Sequence, residues 1–294
     1  MKKNIICFGE IVWDALPRTL YLGGAPLNVA SHLARFDIPV QMVSRIGNDA
    51  LGEEVIRNMD YAGLDASLIQ KDNQLPTGLV RVEMDEEEPS YEIIAPSSWD
   101  EIEYTPELQS HADEAFALVF GTLSQRNDTT RQTLEKLWDA PCLKVLDVNL
   151  RPPFVDKEHV AASLKAADIV KLNEDEFNQI RKWFGFEDET EPAIREIAFR
   201  FHCESICLTR GANGSMLLHK GELIHQPGIP VEAVDTIGAG DSFLAALLAG
   251  IREGKGGKQI MEHAAKLAAF VATKSGAVPD YSPEDFLTPD DLMS

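Results

Sequence analysis

Short apolar runs recur along the chain, and polar stretches with helical periodicity follow most of them. The strand-like runs are NIICFGEI (4–11), PVQMVSRI (39–46), AFALVFG (115–121), LKVLDVN (143–149), DIVKLN (168–173) and SICLTRG (205–211). Apolar strands that alternate with helices are typical of a parallel sheet covered on both faces. The pattern therefore predicts a three-layer α/β/α fold with a mainly parallel central sheet.

Three helices carry distinct signals. APLNVASHLARF (25–36) is amphipathic, and Asp37 after it tolerates the left-handed conformation of a helix stop. In DALGEEVIRNMDYAG (49–63), Asp49 is expected to be the N-cap and Gly63 the stop. The run SFLAALLAGI (242–251) is apolar with small residues, which predicts a buried helix.

One segment departs from this pattern. Residues 77–94, TGLVRVEMDEEEPSYEII, predict two alternating strands around an acidic turn. Alternation implies one exposed face, so we expect this hairpin to lie off the main sheet, as a lid or as a dimer clasp. A hairpin without such a role is the alternative. No repeat, low-complexity segment or linker indicates a domain boundary.

Composition and charge exclude several classes of partner. The chain has 294 residues, 44% hydrophobic and 26% charged, which is ordinary for a globular protein. Its net charge of −21 disfavours nucleic acid and anionic membrane surfaces as partners. A small phosphate-bearing ligand stays possible, because local cations and helix N-termini can outweigh the global field.

The cysteines and the N-terminal residues favour a cytoplasmic protein. The apolar run before Glu10 is too short for a signal peptide, and no run reaches transmembrane length. We expect reduced core cysteines and no metal site at HCESIC, because no second Cys/His pair completes one. The four cysteines are Cys7, Cys142, Cys203 and Cys207.

Two glycine-rich stretches carry the candidate chemistry. LGGAPLNVASHLARF (22–36) places Gly23 and Gly24 where backbone can approach a ligand, with Asn28 one helical turn later. DTIGAGDSF (235–243) places glycines at the start of the buried helix, where free N–H groups favour an anion. It is neither a Walker A loop nor a dinucleotide fingerprint. Asp241 in that position suits proton abstraction from an attacking hydroxyl next to a phosphoryl group.

These motifs resemble the two signatures of the ribokinase-like, or PfkB-type, carbohydrate kinases. Further matches follow in the family's order over nearly the whole chain, and those at GEIVWDALP, GGAPLN and DVNLR look most like bacterial fructokinases. The ordered matches are GEIVWDALP (9–17), GGAPLNVA (23–30), PTG (76–78), DVNLRP (147–152), KLNEDE (171–176), LTRGANGS (208–215) and DTIGAGDSF (235–243). The resemblance implies one kinase domain over residues 1–294, with a β-sheet lid formed mainly by about 10–22 and 75–104. It also implies phosphorylation of a primary sugar hydroxyl, most closely that of fructose, with ATP and Mg²⁺ as cofactors and with K⁺ as a further candidate.

The resemblance also implies a role for individual residues. Asp241 would be the general base, an anion hole would come from the N–H groups of Gly238, Ala239 and Gly240, and Arg151 would neutralise phosphate charge. The sugar-binding candidates are Asp14, Gly23, Gly24, Asn28 and Trp99. The nucleotide-binding candidates are Asn173, Thr209, Arg210, Gly211, Gly214 and the segment from His263 to Gly276. Asn173 and Glu176 would hold Mg²⁺ directly or through water, and Asp235 and Thr236 resemble part of a monovalent-cation site.

Structural alternatives stay open for several of these residues. Asn173 and Glu176 also fit a helix cap with an acidic first turn, and Arg151 fits a surface ion pair. Asp14 could cap a turn before Pro17, and Trp99 could pack the lid instead of stacking on a sugar.

The motifs also leave the acceptor and the assembly open. 2-Keto-3-deoxygluconate, ribose or a nucleoside would be phosphorylated with the same catalytic set, and a sugar-binding protein without activity would share the fold. A homodimer through the lid is a further hypothesis.

Overall fold

The computed structural model describes residues 3–16, 19–84 and 89–288. The strands in chain order are β1 (Ile5–Phe8), β2 (Val12–Leu16), β3 (Thr19–Gly23), β4 (Val40–Gly47), β5 (Ile69–Asp72), β6 (Gly78–Met84), β7 (Pro89–Ile93), β8 (Ala117–Gly121), β9 (Leu143–Asp147), β10 (Ile169–Asn173), β11 (Ser205–Thr209), β12 (Ser215–His219) and β13 (Glu222–Gln226). The α-helices are α1 (Ala25–Arg35), α2 (Ala50–Tyr61), α3 (Pro106–Glu114), α4 (Asp128–Leu137), α5 (Lys157–Ala166), α6 (Glu174–Phe184), α7 (Thr190–Phe201), α8 (Ala239–Glu253) and α9 (Gly257–Ala272).

The main sheet has nine strands in the order β13-β12-β11-β10-β9-β8-β1-β4-β5. The strands from β11 to β5 in this order are parallel, and β12 and β13 continue the sheet antiparallel to their neighbours. The chain passes from β1 to β4 on one side and returns to β8 on the other. The strand order therefore reverses at β1, where ligands commonly bind in open α/β sheets.

Helices cover both faces of this sheet, so alternate residues of its strands are buried on opposite sides. Ile5 and Cys7 of β1 pack with α1, α2, α8 and α9, whereas Ile6 and Phe8 pack with α3 to α7. This arrangement confirms the predicted three-layer α/β/α fold.

Four strands form a separate small sheet in the order β3-β2-β6-β7. β6 and β7 pair antiparallel, as the alternation at 77–94 predicts, while the acidic turn at 85–88 lies outside the described residues. β2 joins them in parallel to β6 and carries Asp14, although the predicted turn at Pro17 is also outside the described residues. Val12 and Val80 of this sheet pack on Trp99 and Leu123, which joins the small sheet to the main body.

The helix signals are confirmed. Asp49 caps α2 by accepting a hydrogen bond from Gly52 N–H at 2.8 Å, and Gly63 follows its end with φ 69°. Asp37 has φ 53°, as expected for the stop of α1. Residues Phe243 to Ala249 of α8 are all buried.

The four cysteines are buried and free, as expected for reduced core thiols. Among the described residues no cluster of three His, Cys, Asp or Glu side chains is arranged to hold a metal ion. No helix in the described part of the chain is long and apolar enough to cross a membrane.

Candidate active site

The candidate residues meet where the parallel strands end. Because β1, β8, β9, β10 and β11 run in one direction, their carboxyl ends share one edge of the sheet. Glu10 follows β1, while Asp147, Asn173 and Thr209 are the last residues of β9, β10 and β11. The first turn of α8 lies at the same edge, since a Cβ on Gly240 would be 3.2 Å from Lys171 Nζ.

Asp241 lies in the first turn of α8 and contacts a residue of the first glycine-rich motif. Its Oδ2 accepts a hydrogen bond from Asn28 Nδ2 at 2.8 Å, across 213 positions of sequence. Asn28 is 6% exposed and is fixed by α1, where its N–H donates to Gly24 O at 2.9 Å. The structure therefore brings both motifs into one site, but the Asn28 amide faces the carboxylate that was expected to be the base.

Three carboxyl groups here have raised pKa values. Burial, reinforced by the negative charge of Asp147, raises the pKa of Asp241 to about 6, although Lys171, the Asn28 hydrogen bond and Arg151 oppose the rise. Burial also raises the pKa of Asp14 to about 6 and that of Glu10 to about 7. Arg151 lowers all three pKa values, so its exposed guanidinium lies within electrostatic reach of the whole group.

A buried ion pair lies beneath the first turn of α8. Lys171 Nζ donates to both oxygens of Asp147 at 2.9 Å, and both side chains are 7% exposed. Burial alone would lower the pKa of Lys171, but the carboxylates of Asp147, Glu176 and Asp241 raise it. The Lys171 ammonium group thus lies within electrostatic reach of three carboxylates, and it stays positively charged beside Asp241.

The N-terminal end of α8 leaves backbone N–H groups without a hydrogen-bond partner among the described residues. Within the described residues, the N–H groups of Gly240 and Asp241 form no hydrogen bond, while Ala239 N–H has a long one of 3.3 Å to Thr236 O. Gly238 opens the helix at φ 77°, and a Cβ there would lie 2.4 Å from Ala277 O. Only glycine fits this turn, because it alone adopts positive φ without cost and leaves room for Ala277.

Asn173 and Glu176 form a capping box at the start of α6. Asn173 Oδ1 accepts from Glu176 N–H at 2.9 Å, and Glu176 Oε2 accepts from Asn173 N–H at 2.8 Å. The other Glu176 oxygen accepts from Leu150 N–H at 3.0 Å, so the buried carboxylate is fixed between two elements. Burial raises the pKa of Glu176, with Asp147 adding to the rise.

The first glycine-rich turn lies against β1 and β2. A Cβ on Gly24, at φ 110°, would lie 2.4 Å from Glu10 O, and one on Gly23 would lie 3.1 Å from Asp14 Oδ2. The turn therefore contacts the chain at Glu10 and leaves room for the Asp14 carboxylate.

Four residues at the end of β11 and in the turn after it were assigned to nucleotide phosphates by the resemblance: Thr209, Arg210, Gly211 and Gly214. The turn is closed by a hydrogen bond from Arg210 N–H to Gly214 O at 2.8 Å, and Gly211 has φ 52°.

The remaining nucleotide and cation candidates lie on α9 and on the segments beside it. His263 is buried on α9, and Gly276 follows that helix. Asp235 Oδ2 accepts from Gly276 N–H at 3.2 Å and its Oδ1 from Ile237 N–H at 2.9 Å, while Thr236 is exposed.

Trp99 occupies a different environment from the other sugar-site candidates. It is fully buried, and the Arg126 guanidinium lies 3.8 Å from its ring centroid. Arg126 also donates to both oxygens of Asp100, at 2.7 and 2.8 Å. This position favours the packing role of Trp99 over stacking on a sugar, because one ring face is already covered.

Sequence reasoning missed three charged residues of this site. Glu10, Asp147 and Lys171 lie inside the motifs GEIVWDALP, DVNLRP and KLNEDE, yet no role was given to them. The signal that could have found them is a charged residue within an apolar strand or at its end, where burial demands a partner. Glu10 is the clearest case, since its Oε2 is buried and forms no hydrogen bond within the described residues.

Comparisons with known proteins show the family of this chain. Residues 2–284 match the pfkB family carbohydrate kinase. The chain is 29% identical to a fructokinase of Rhizobium leguminosarum bv. trifolii over 84% of this chain and 79% of that one. It is 27% identical to a fructokinase of Escherichia coli over 95% and 96% of the two chains.

A solved structure shares the fold over almost its full length. The sugar kinase PH1459 of Pyrococcus horikoshii, in complex with ATP, superposes with a TM-score of 0.84 at 26% identity, covering 98% of this chain and 99% of that one. The family match spans both glycine-rich motifs and every strand of the main sheet. The chain therefore belongs to the pfkB family of carbohydrate kinases, enzymes that transfer a phosphoryl group to an alcohol.

Proposed function

We propose that this protein transfers the γ-phosphoryl group of ATP to a primary hydroxyl of a sugar, with fructose as the acceptor. The observation that carries the proposal is the Asp241 carboxylate beside unbonded N–H groups in the first turn of α8. A base next to an anion site is what phosphoryl transfer to an alcohol requires.

Asp241 would accept the proton of the acceptor hydroxyl. The pKa of about 6 leaves it ionised near neutral pH and makes it a stronger base than an ordinary aspartate. Asn28 would hold the carboxylate in one orientation through Oδ2, which leaves Oδ1 for the hydroxyl.

The first turn of α8 would stabilise the transferred group. The N–H groups of Gly238, Ala239 and Gly240 would bind phosphoryl oxygens, and the helix dipole adds to the attraction. Arg151, whose guanidinium is exposed at the edge of the site, would turn toward the phosphates. These groups act by position and charge, which supply most of the acceleration in such reactions.

The nucleotide would lie along the ends of β10 and β11. Thr209, Arg210, Gly211 and Gly214 would contact its phosphates, and the segment from His263 to Gly276 would flank the base. The ATP complex of the Pyrococcus relative supports ATP as the donor.

The donor set near α6 fits a hydrated Mg²⁺ ion. Each oxygen of Glu176 already accepts one backbone N–H, which leaves lone pairs for water but no free chelating pair. Mg²⁺ usually keeps several waters and binds proteins through one or two carboxylates. Asn173 and Glu176 would hold it through those waters, and the ion would supply positive charge beside the phosphates. Asp235 and Thr236 would contribute oxygen atoms to a site for a monovalent cation.

The charges of the site favour a neutral acceptor. Glu10, Asp14 and Asp241 are three carboxyl groups within reach of one arginine, so an acidic sugar such as 2-keto-3-deoxygluconate would meet repulsion. Asp14, Gly24 and Asn28 would bind hydroxyl groups, and the two fructokinase relatives support fructose. Ribose and nucleosides remain neutral competitors.

The small sheet would close over the acceptor. Its β2 carries Asp14 into the site, and its contacts with the main body run through the core around Trp99. Such closure would exclude water from the phosphoryl group.

An inactive sugar-binding protein is the alternative from another class. A binder would gain nothing from a half-buried carboxylate beside Asp147, whose charge makes ionisation harder. ADP release with a panel of sugars separates the two functions. We expect the highest kcat/KM with fructose and a much lower value with 2-keto-3-deoxygluconate. Sugar binding without ADP release from any acceptor would contradict the proposal.

A further inference from the structure

A buried histidine joins the helix that carries Asn28 to the segment after α9. His32 lies one turn after Asn28 on α1 and is fully buried. Its Nδ1 lies 2.8 Å from the Tyr281 hydroxyl, and its Nε2 lies 3.0 Å from Ala277 O. The kinase chemistry described above makes no use of this ring.

The partners of His32 determine its tautomer. A carbonyl oxygen only accepts, so Nε2 carries the hydrogen and donates it to Ala277 O. Burial lowers the pKa of His32 to about 4, so the ring is neutral near pH 7. Nδ1 therefore accepts from the Tyr281 hydroxyl, and both polar atoms of the ring are satisfied.

The carbonyl held by His32 is the one that contacts the opening turn of α8. A Cβ on Gly238 would lie 2.4 Å from Ala277 O and 2.5 Å from Ala277 Cα. Ala277 is thus packed directly on the residue whose positive φ directs the first N–H groups of the helix. The segment is also held by Gly276 N–H to Asp235, and by Arg35 to Asp280.

We propose that His32 is a positioning residue: by donating to Ala277 O it fixes Gly238 and aims the N–H groups of α8. Because Asn28 on the same helix binds Asp241, α1 would align the base and the anion site together. The effect on turnover rests on the proposed kinase function, whereas the effect on the Gly238 turn does not.

Two substitutions of His32 distinguish the role of Nε2 from that of Nδ1. In His32→Gln the side-chain amide reaches the place of Nε2 and keeps the donor to Ala277, whereas in His32→Asn it reaches only the place of Nδ1. With fructose and ATP, we expect kcat to fall at least about tenfold in His32→Asn and to stay within about threefold in His32→Gln, with the sugar KM unchanged. Tyr281→Phe removes the other partner and should leave kcat near that of the parent.

Amide exchange of the peptide covering 236–242 provides a readout that does not depend on catalysis. In the protein without substrate, we expect the hydrogen-bonded amides of this peptide, those of Ile237, Ala239 and Ser242, to exchange about tenfold faster in His32→Asn than in the parent and in His32→Gln. Equal exchange in all three proteins would overturn the proposal, even if kcat or Tm fell in His32→Asn. If the parent phosphorylates no sugar but exchange is still faster in His32→Asn than in the parent, the positioning role of His32 is supported and the kinase function is rejected.

His32→Gln keeps the proposal testable if His32→Asn does not fold. With the bond to Ala277 retained, its kcat and its exchange at 236–242 must match the parent. A tenfold loss of kcat in His32→Gln would overturn the proposal.

Discussion

At the scale of single residues, the hydrogen bond between Asn28 and Asp241 joins the two glycine-rich motifs. Burial raises the pKa of Asp241, while donation from Asn28 Nδ2 lowers it. The amide therefore orients the carboxylate and, together with the larger effect of Lys171, favours its ionised form.

This balance predicts a pH dependence. Asp241 must be ionised to accept a proton, so kcat/KM for the sugar should fall about tenfold per pH unit below pH 6. In Asn28→Ala the ionised form loses its hydrogen bond, so the midpoint of the acid limb should move to higher pH. Initial rates from pH 5 to 8 measure the midpoint, with Ser31→Ala, one position before His32 on α1, as the control. An unchanged midpoint in Asn28→Ala would show that another group controls the limb.

Some of these residues could be predicted from the sequence and others could not. Asp241 and Asn28 stand in glycine-rich helix starts, which are recognisable locally. Their contact spans 213 positions and depends on how α1 and α8 pack, so no local pattern reveals it. The pairing of Lys171 with Asp147 and that of His32 with Ala277 escaped prediction for the same reason.

At the scale of elements, α8 begins and ends at glycines that lie in different surroundings. Gly238 and Gly254 flank it with φ values of 77° and 73°. A Cβ on Gly238 would collide with Ala277, whereas one on Gly254 would meet no atom within 4 Å.

These two glycines form a matched pair for mutation. Gly254→Ala should cost about 1 kcal/mol of unfolding free energy through backbone strain, and its kcat should be unchanged. Gly238→Ala adds the collision and displaces the anion site, so its kcat should fall at least about a hundredfold. Urea unfolding and steady-state kinetics of both variants measure these effects. Equal kcat in the two variants would argue against an anion site at Gly238.

The elements themselves follow from the hydrophobic pattern where it is long or continuous. β1, β4 and β8 to β11 are largely apolar runs in the sequence, and α8 is apolar from Phe243 to Ile251. β5, β12 and β13 were not predicted. IQKD of β5 is polar, and the apolar parts of β12 (SMLLH) and β13 (ELIHQ) are only two or three residues long, which is too short to predict a strand.

At the scale of the whole molecule, the net charge of −21 opposes an anionic nucleotide but not a neutral sugar. The local cations Arg151 and Lys171 act at short range, whereas the net charge acts on approach.

Ionic strength should therefore affect the two substrates differently. Raising it from about 0.05 M to about 0.3 M with choline chloride, at constant K⁺, should increase kcat/KM for ATP a few-fold by screening the repulsion. The value for fructose at saturating ATP should change little, and it serves as the internal control. A decrease in kcat/KM for ATP would mean that attraction by the cations of the site outweighs repulsion by the net charge as ATP approaches.

The base assignment of Asp241 is tested most directly by the kcat of Asp241→Asn with fructose and saturating ATP. The substitution keeps the shape of the side chain and removes its ability to take a proton, so kcat should fall at least about a hundredfold while fructose binding stays near that of the parent. Glu253→Gln, at the far end of α8, is the control and should keep the parent's kcat. If kcat of Asp241→Asn stayed within a few-fold of the parent, Asp241 would not be the base.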